Sequence, residues 1–207
     1  MNFRAGLLVV VFLLLQSCQH TKINPYQEAA YYNTQLGLAY LKQGDRVRAK
    51  RKLLIALTQA PELPDVNAAM AYFMEKTGEM DNAAFYYKKA IAVAPNRGES
   101  LNNYGAFLCR HSNYREAQVY FLKAIHDTQY EHTAGAYENA GLCAAAIPDD
   151  KKAIYYFKKA LEHDPLRKQS LNELVRIELK RGHKRQAKAF LRHYSAHMLA
   201  DDRLYRS

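Results

Sequence analysis

A cadence of small and large residues returns at a fixed interval along most of the chain. Ala-Lys-Arg-Lys-Leu-Leu-Ile-Ala-Leu begins at Ala49, Ala-Ala-Phe-Tyr-Tyr-Lys-Lys-Ala-Ile at Ala83, and Ala-Gln-Val-Tyr-Phe-Leu-Lys-Ala-Ile at Ala117. Ala-Ile-Tyr-Tyr-Phe-Lys-Lys-Ala-Leu follows at Ala153 and Ala-Lys-Ala-Phe-Leu-Arg-His-Tyr-Ser at Ala187, so the intervals are 34, 34, 36 and 34 residues. A period of this length means that one supersecondary unit is stacked on copies of itself, each burying an apolar face that it cannot bury alone. Gly (9) and Pro (6) are scarce in 207 residues, which disfavours a turn-rich β fold. Turn signals lie between the apolar stretches: Gln43-Gly44-Asp45, Thr77-Gly78-Glu79, His111-Ser112-Asn113, Pro148-Asp149-Asp150 and Arg181-Gly182-His183 mark turns, and Pro61, Pro95 and Pro165 mark helix ends. The expected class is all-α, with ten helices in five helix–turn–helix units starting near 30, 64, 98, 134 and 168.

The residues that keep register resemble the tetratricopeptide repeat (TPR). Repeat 1 has Gly37, Tyr40, Ala49, Leu53, Ala56 and Pro61, and repeat 2 has Ala71, Met74, Ala83, Tyr87, Ala90 and Pro95. Repeat 3 has Gly105, Leu108, Ala117, Phe121 and Ala124, and repeat 4 has Gly141, Ala144, Ala153, Phe157, Ala160 and Pro165. Repeat 5 is weaker, with Val175, Glu178, Ala187 and Leu191. Gly or Ala at a helix crossing permits close approach, and a large side chain on the second helix fills the gap. The resemblance implies a right-handed TPR superhelix over residues 30–200, with a tail at 201–207. The two additional residues between repeats 3 and 4 place a longer, kinked connection at Asp127 to Thr133.

The N-terminus reads as a separate signal. Arg4 precedes an apolar run from Ala5 to Leu15, which as a helix spans about 16 Å, half of a hydrocarbon core. This is the form of a secretory signal at 1–17. Leu15-Gln16-Ser17-Cys18 resembles a bacterial lipobox, with Gln16 departing from the usual small or apolar residue. That resemblance implies lipidation at Cys18 and a tether over 18–29. Gln19, rather than Asp, behind the lipidated residue implies sorting to the outer membrane of a Gram-negative cell, on its periplasmic face.

Catalytic signatures are absent from the sequence. No Gly-rich phosphate loop, nucleophile elbow or His-Glu-x-x-His pair occurs, so neither an enzyme nor a bound cofactor is expected. His193, His197 and Asp201 have the spacing of a metal face, which a solvated terminal helix produces as readily, and no metal is expected. Cys109 and Cys143 fall on first helices of adjacent repeats, and a disulfide or two buried thiols both satisfy that placement. The net charge of +10 is concentrated in Arg46 to Lys52 and Lys180 to Arg192. These stretches read first as solvated faces and second as contacts with an anionic envelope surface. Behind an export signal, nucleic acid is not an expected partner.

First helices line the groove of TPR proteins. Carrying that lining over gives Tyr31, Leu38, Leu41 and Lys42 in repeat 1, Tyr72 in repeat 2, and Asn102 and Arg110 in repeat 3. The first two repeats supply an apolar and aromatic strip suited to an amphipathic helix or a strand. Tyr32 to Tyr40, Leu101 to Cys109 and Tyr137-Glu138-Asn139-Ala140-Gly141-Leu142-Cys143 are similar to the PilF/PilW pilotin family of type IV pilus biogenesis lipoproteins. That resemblance implies an outer-membrane lipoprotein, here expected as a monomer, that helps the pilus secretin reach the membrane and multimerise. The alternative is a lipidated TPR adaptor recruiting peptidoglycan enzymes. Members often carry a sixth repeat, so a shortened C-terminal cap is expected.

Overall fold

Local capping chemistry decides where the helices begin. Asn24 Oδ1 accepts from the Tyr26 amide at 3.0 Å and Pro25 occupies the first helical position, so the first helix starts at Pro25. Asp45 and Asp149 cap in the same manner, accepting from Arg48 N and Lys152 N. The computed structural model describes residues 24–147 and 149–204, with side chains to 195. The predicted signal at 1–17, Cys18 and the start of the tether lie outside the described residues. Among these, ten helices and no strands occur: α1 Pro25–Lys42, α2 Arg46–Gln59, α3 Pro64–Thr77, α4 Met80–Val93, α5 Gly98–Arg110, α6 Tyr114–Ile125, α7 Thr133–Ala146, α8 Asp150–His163, α9 Lys168–Lys180 and α10 Lys184–Leu204. They pair as antiparallel hairpins and form an all-α TPR solenoid. Two sequence boundaries shift. Residues 25–29, assigned to the tether, form the first turns of α1 because of the Asn24–Pro25 cap. Residues 201–204, assigned to the tail, continue α10.

Four of the five hairpin turns reverse through a left-handed residue. Gly44, Gly78 and Gly182 supply it at φ 82°, 88° and 81°, and Ser112 takes the same place in repeat 3 at φ 63°.

The crossings explain the small–large cadence. A Cβ on Gly37 would lie 2.7 Å from Leu53, one on Gly105 2.9 Å from Phe121, and one on Gly141 2.7 Å from Phe157. Leu53, Phe121 and Phe157 are all fully buried. Repeat 5 has Val175 at the crossing. Leu191, in the position equivalent to Phe157, is 40% exposed. α10 instead packs Phe190 and Tyr194 on the core.

The longer connection occupies 126–132 and folds back on repeat 3. Asp127 Oδ2 accepts from Gly98 N at 2.7 Å, and the Tyr130 ring sits where a Cβ on residue 98 would be 2.5 Å away. Cys109 on α5 and Cys143 on α7 are joined as a disulfide, with Cα atoms 5.7 Å apart. Their separation of 34 residues bridges neighbouring first helices.

Candidate protein-binding groove

The first helices α1, α3 and α5 stand side by side and leave a groove of about 1020 Å³. Their first-helix register places Tyr31, Leu38, Leu41 and Lys42 from α1 opposite Tyr72 and Lys76 from α3, with Arg110 at the α5 side. Leu38 and Leu41 are half-buried and rest on the core, which makes the floor firm. Tyr31 is 56% and Tyr72 38% exposed, so both present ring surface to a ligand. Lys76 Nζ lies 5.2 Å above the Tyr72 ring, and Lys42 adds a second cation at the rim. Such a site suits an amphipathic segment: apolar side chains on the floor, acidic or backbone oxygen atoms toward the lysines.

Six of the seven residues read from the sequence line this groove. Asn102 does not. It is buried, and its Oδ1 accepts from Asn139 Nδ2 at 3.0 Å, a bond between repeats 3 and 4. On α5 the groove is lined instead by Asn103, one position on and about 100° around the helix. His193 packs edge-on to Tyr194 at 4.6 Å between ring centres, whereas the side chains of His197 and Asp201 lie outside the described residues. Among the described residues, no group of three or more His, Cys, Asp or Glu is placed to hold a metal.

Arg110 lines the groove but its charge is already engaged. Its Nε and Nη2 donate to the two Glu75 oxygens at 2.6 and 2.8 Å, clamping α3 to α5. Tyr87 Oη donates to the same carboxylate at 3.2 Å, and His111 Nε2 stands 3.5 Å away. Burial pushes the Glu75 carboxyl up. The hydrogen bonds and charge of Arg110 outweigh it and leave Glu75 below its ordinary value of 4.5. Burial, followed by the Glu75 charge, drives the Tyr87 hydroxyl well up. Because the folded-state value of Glu75 is depressed, its contribution is present above pH 4.5 and is lost as the pH falls through that lower value. The two partners differ in exposure, Arg110 at 45% and Glu75 at 6% of the side chain. Arg110→Ala therefore leaves a buried carboxylate without its main partner. It is expected to cost about 2 kcal/mol, below the range for a fully buried pair because Tyr87 and His111 remain. Glu75→Gln, which leaves a half-exposed guanidinium, is expected to cost less, about 1 kcal/mol. Chemical denaturation of the two variants at neutral pH checks the order.

Similar clamps tie repeat 4 to repeat 5 and add a second tie between repeats 2 and 3. Glu138 Oε2 accepts from Ser170 N at 3.1 Å and from Ser170 Oγ at 2.7 Å, and Arg97 Nη2 is 2.9 Å from Asp65 Oδ1. Neither pairing was apparent in the sequence. Their separations of 32 residues, and that of 35 between Glu75 and Arg110, fall near the repeat length and are the only signal for them.

Residues 64–97 and 86–119 match sequence profiles of the tetratricopeptide repeat. The type IV pilus assembly protein PilF of Pseudomonas aeruginosa is 34% identical over 168 residues, covering 78% of this chain and 67% of that protein. The solved structure of Pseudomonas aeruginosa PilF superposes with a TM-score of 0.76 at 30% identity, over 84% of this chain and 78% of that one. PilW, described as a widely conserved type IV pilus biogenesis factor, superposes with a TM-score of 0.71 at 27% identity, over 81% of this chain and 76% of the other. With similarity of this extent in both sequence and fold, the chain belongs to the PilF/PilW family of TPR proteins of type IV pilus biogenesis.

Proposed function

We propose that this protein is an outer-membrane lipoprotein of the pilotin type, anchored through Cys18 on the periplasmic face, whose groove holds a segment of the pilus secretin during assembly of the multimeric ring. The observation that carries the reading is the firm apolar floor of Leu38 and Leu41 between the exposed rings of Tyr31 and Tyr72, in a family member. A secretin subunit must expose β edges before its ring closes, and such edges pair wrongly in solution. Holding one amphipathic segment of each subunit at the membrane limits mispairing and raises the local subunit concentration. No reacting group is needed for that role. It requires a lipid, a short tether and a rigid groove.

Cys18→Ala, with the signal otherwise intact, tests the anchor. Heat-resistant secretin multimers are expected to fall, or to move to the inner membrane, while secretin monomer persists. If deletion of the whole gene leaves multimers and their location unchanged, the pilotin reading is wrong, and the adaptor for peptidoglycan enzymes replaces it.

A further inference from the structure

The charge of the molecule is sorted by helix. The second helices α2, α4, α6, α8 and α10 carry eighteen Lys and Arg against six Asp and Glu, a net +12. The first helices α1, α3, α5, α7 and α9 carry six against seven, a net −1. The groove side is therefore close to neutral and the opposite side is strongly basic. The extreme is α2, with five basic residues and no acidic one. Among the described residues of the second helices, it also leaves the most large apolar side chains uncovered: Val47 is 82%, Leu54 47% and Ile55 38% exposed. Val47, Lys50, Arg51, Leu54 and Ile55 recur at helical spacing, so they form one strip, and with Phe73 and Thr77 of α3 and Glu79 they line a second hollow of about 630 Å³.

We infer that the outer strip of α2 lies on an anionic phospholipid surface, with Val47, Leu54 and Ile55 entering the headgroup region and Lys50 and Arg51 on the phosphates. A basic helix with an uncovered apolar strip is the composition of an interfacial helix, in which long cationic side chains reach the headgroups while their stems stay apolar. Position supports lipid over an acidic protein. Residues 18–24 reach at most about 24 Å when extended, so a lipid on Cys18 holds repeat 1 nearest the membrane. The far end of α2 packs on the first half of α1, where Ala30 meets Ala56 and Ala60 and Asn33 Nδ2 donates to Gln59 at 3.0 Å. The groove then points away from the lipid, toward the periplasm. This inference rests on the proposed anchor, and the test reads the two separately.

The lipidated protein purified from membranes is reconstituted in phosphatidylcholine vesicles with and without phosphatidylglycerol. An environment-sensitive fluorophore is placed at Leu54→Cys or, as a groove control, at Gln35→Cys. Flotation with the neutral vesicles reports the anchor. On phosphatidylglycerol the Leu54 label is expected to shift to the blue and lose quenching by aqueous iodide, the Gln35 label to change little, and added salt to reverse the shift. Lys50→Gln with Arg51→Gln is expected to lower the ratio of docked to free α2 about 25-fold, at about fivefold per charge, while flotation is kept. A Leu54 label equally quenched on both vesicles, with flotation intact, overturns the inference and leaves the anchor standing. So does a shift produced by a soluble acidic peptide and not by phosphatidylglycerol, which would assign the strip to a protein. Failure to float on neutral vesicles removes the anchor, and with it the membrane placement of α2.

Discussion

Phe121→Ala is expected to lower the stability of the solenoid by about 3–5 kcal/mol. Phe121 is fully buried in the central repeat and fills the space that Gly105 leaves between α5 and α6. Stacked repeats are held by their neighbours, so a void in repeat 3 weakens the contacts with the repeats on both sides. Leu191 occupies the equivalent position of repeat 5, and the sequence alone predicts a similar role. Its exposure of 40% predicts a cost within about 1 kcal/mol for Leu191→Ala. Urea denaturation followed by circular dichroism compares the two. Equal costs would contradict the packing described for the last hairpin.

Replacing Tyr31 and Tyr72 together by Ala is expected to weaken binding of the proposed secretin segment by roughly a thousandfold. Exposed rings at the walls of an apolar groove are typical binding hot spots, worth about 2 kcal/mol each on truncation, or about 4 for the pair if they act independently. Both rings are more than a third exposed, and neither is part of the buried core. The melting temperature of the double variant is therefore expected to stay within a few degrees of the parent. Titration of purified protein with secretin peptides, alongside thermal melts, separates the two effects. Loss of binding accompanied by a large fall in melting temperature would mean that the rings hold the fold and not the ligand.

The fold was largely legible because the repeat reports on helix crossings. Gly37, Gly105 and Gly141 stand out only as small residues until the buried Leu53, Phe121 and Phe157 are placed under them, but their spacing already demands close crossings. The groove residues of α1 and α3 were legible for the same reason: register decides which face of a first helix looks inward. Pairings between repeats were not legible. Asn102 and Asn103 are adjacent on one helix, and only the backbone shows that the first turns to Asn139 and the second to the groove. Arg110 reads as a free cation until Glu75, a repeat away, is found beneath it. The start of α1 is harder to read, because Pro25 looks like a linker residue unless Asn24 is taken as its cap. The sorting of charge between first and second helices is visible in the sequence once every helix is bounded, but basic stretches examined singly conceal it.

The most direct test of the account is to ask what occupies the groove in the cell. A photo-reactive amino acid in place of Tyr72, in the full-length protein expressed at its natural level, samples the groove wall, and one in place of Val119 samples the outer face of α6. The account predicts that Tyr72 crosslinks to the pilus secretin, that the crosslink disappears when Tyr31 is replaced by Ala, and that Val119 yields none. Crosslinking to the secretin from Val119 alone, or to a peptidoglycan enzyme from Tyr72, would contradict it.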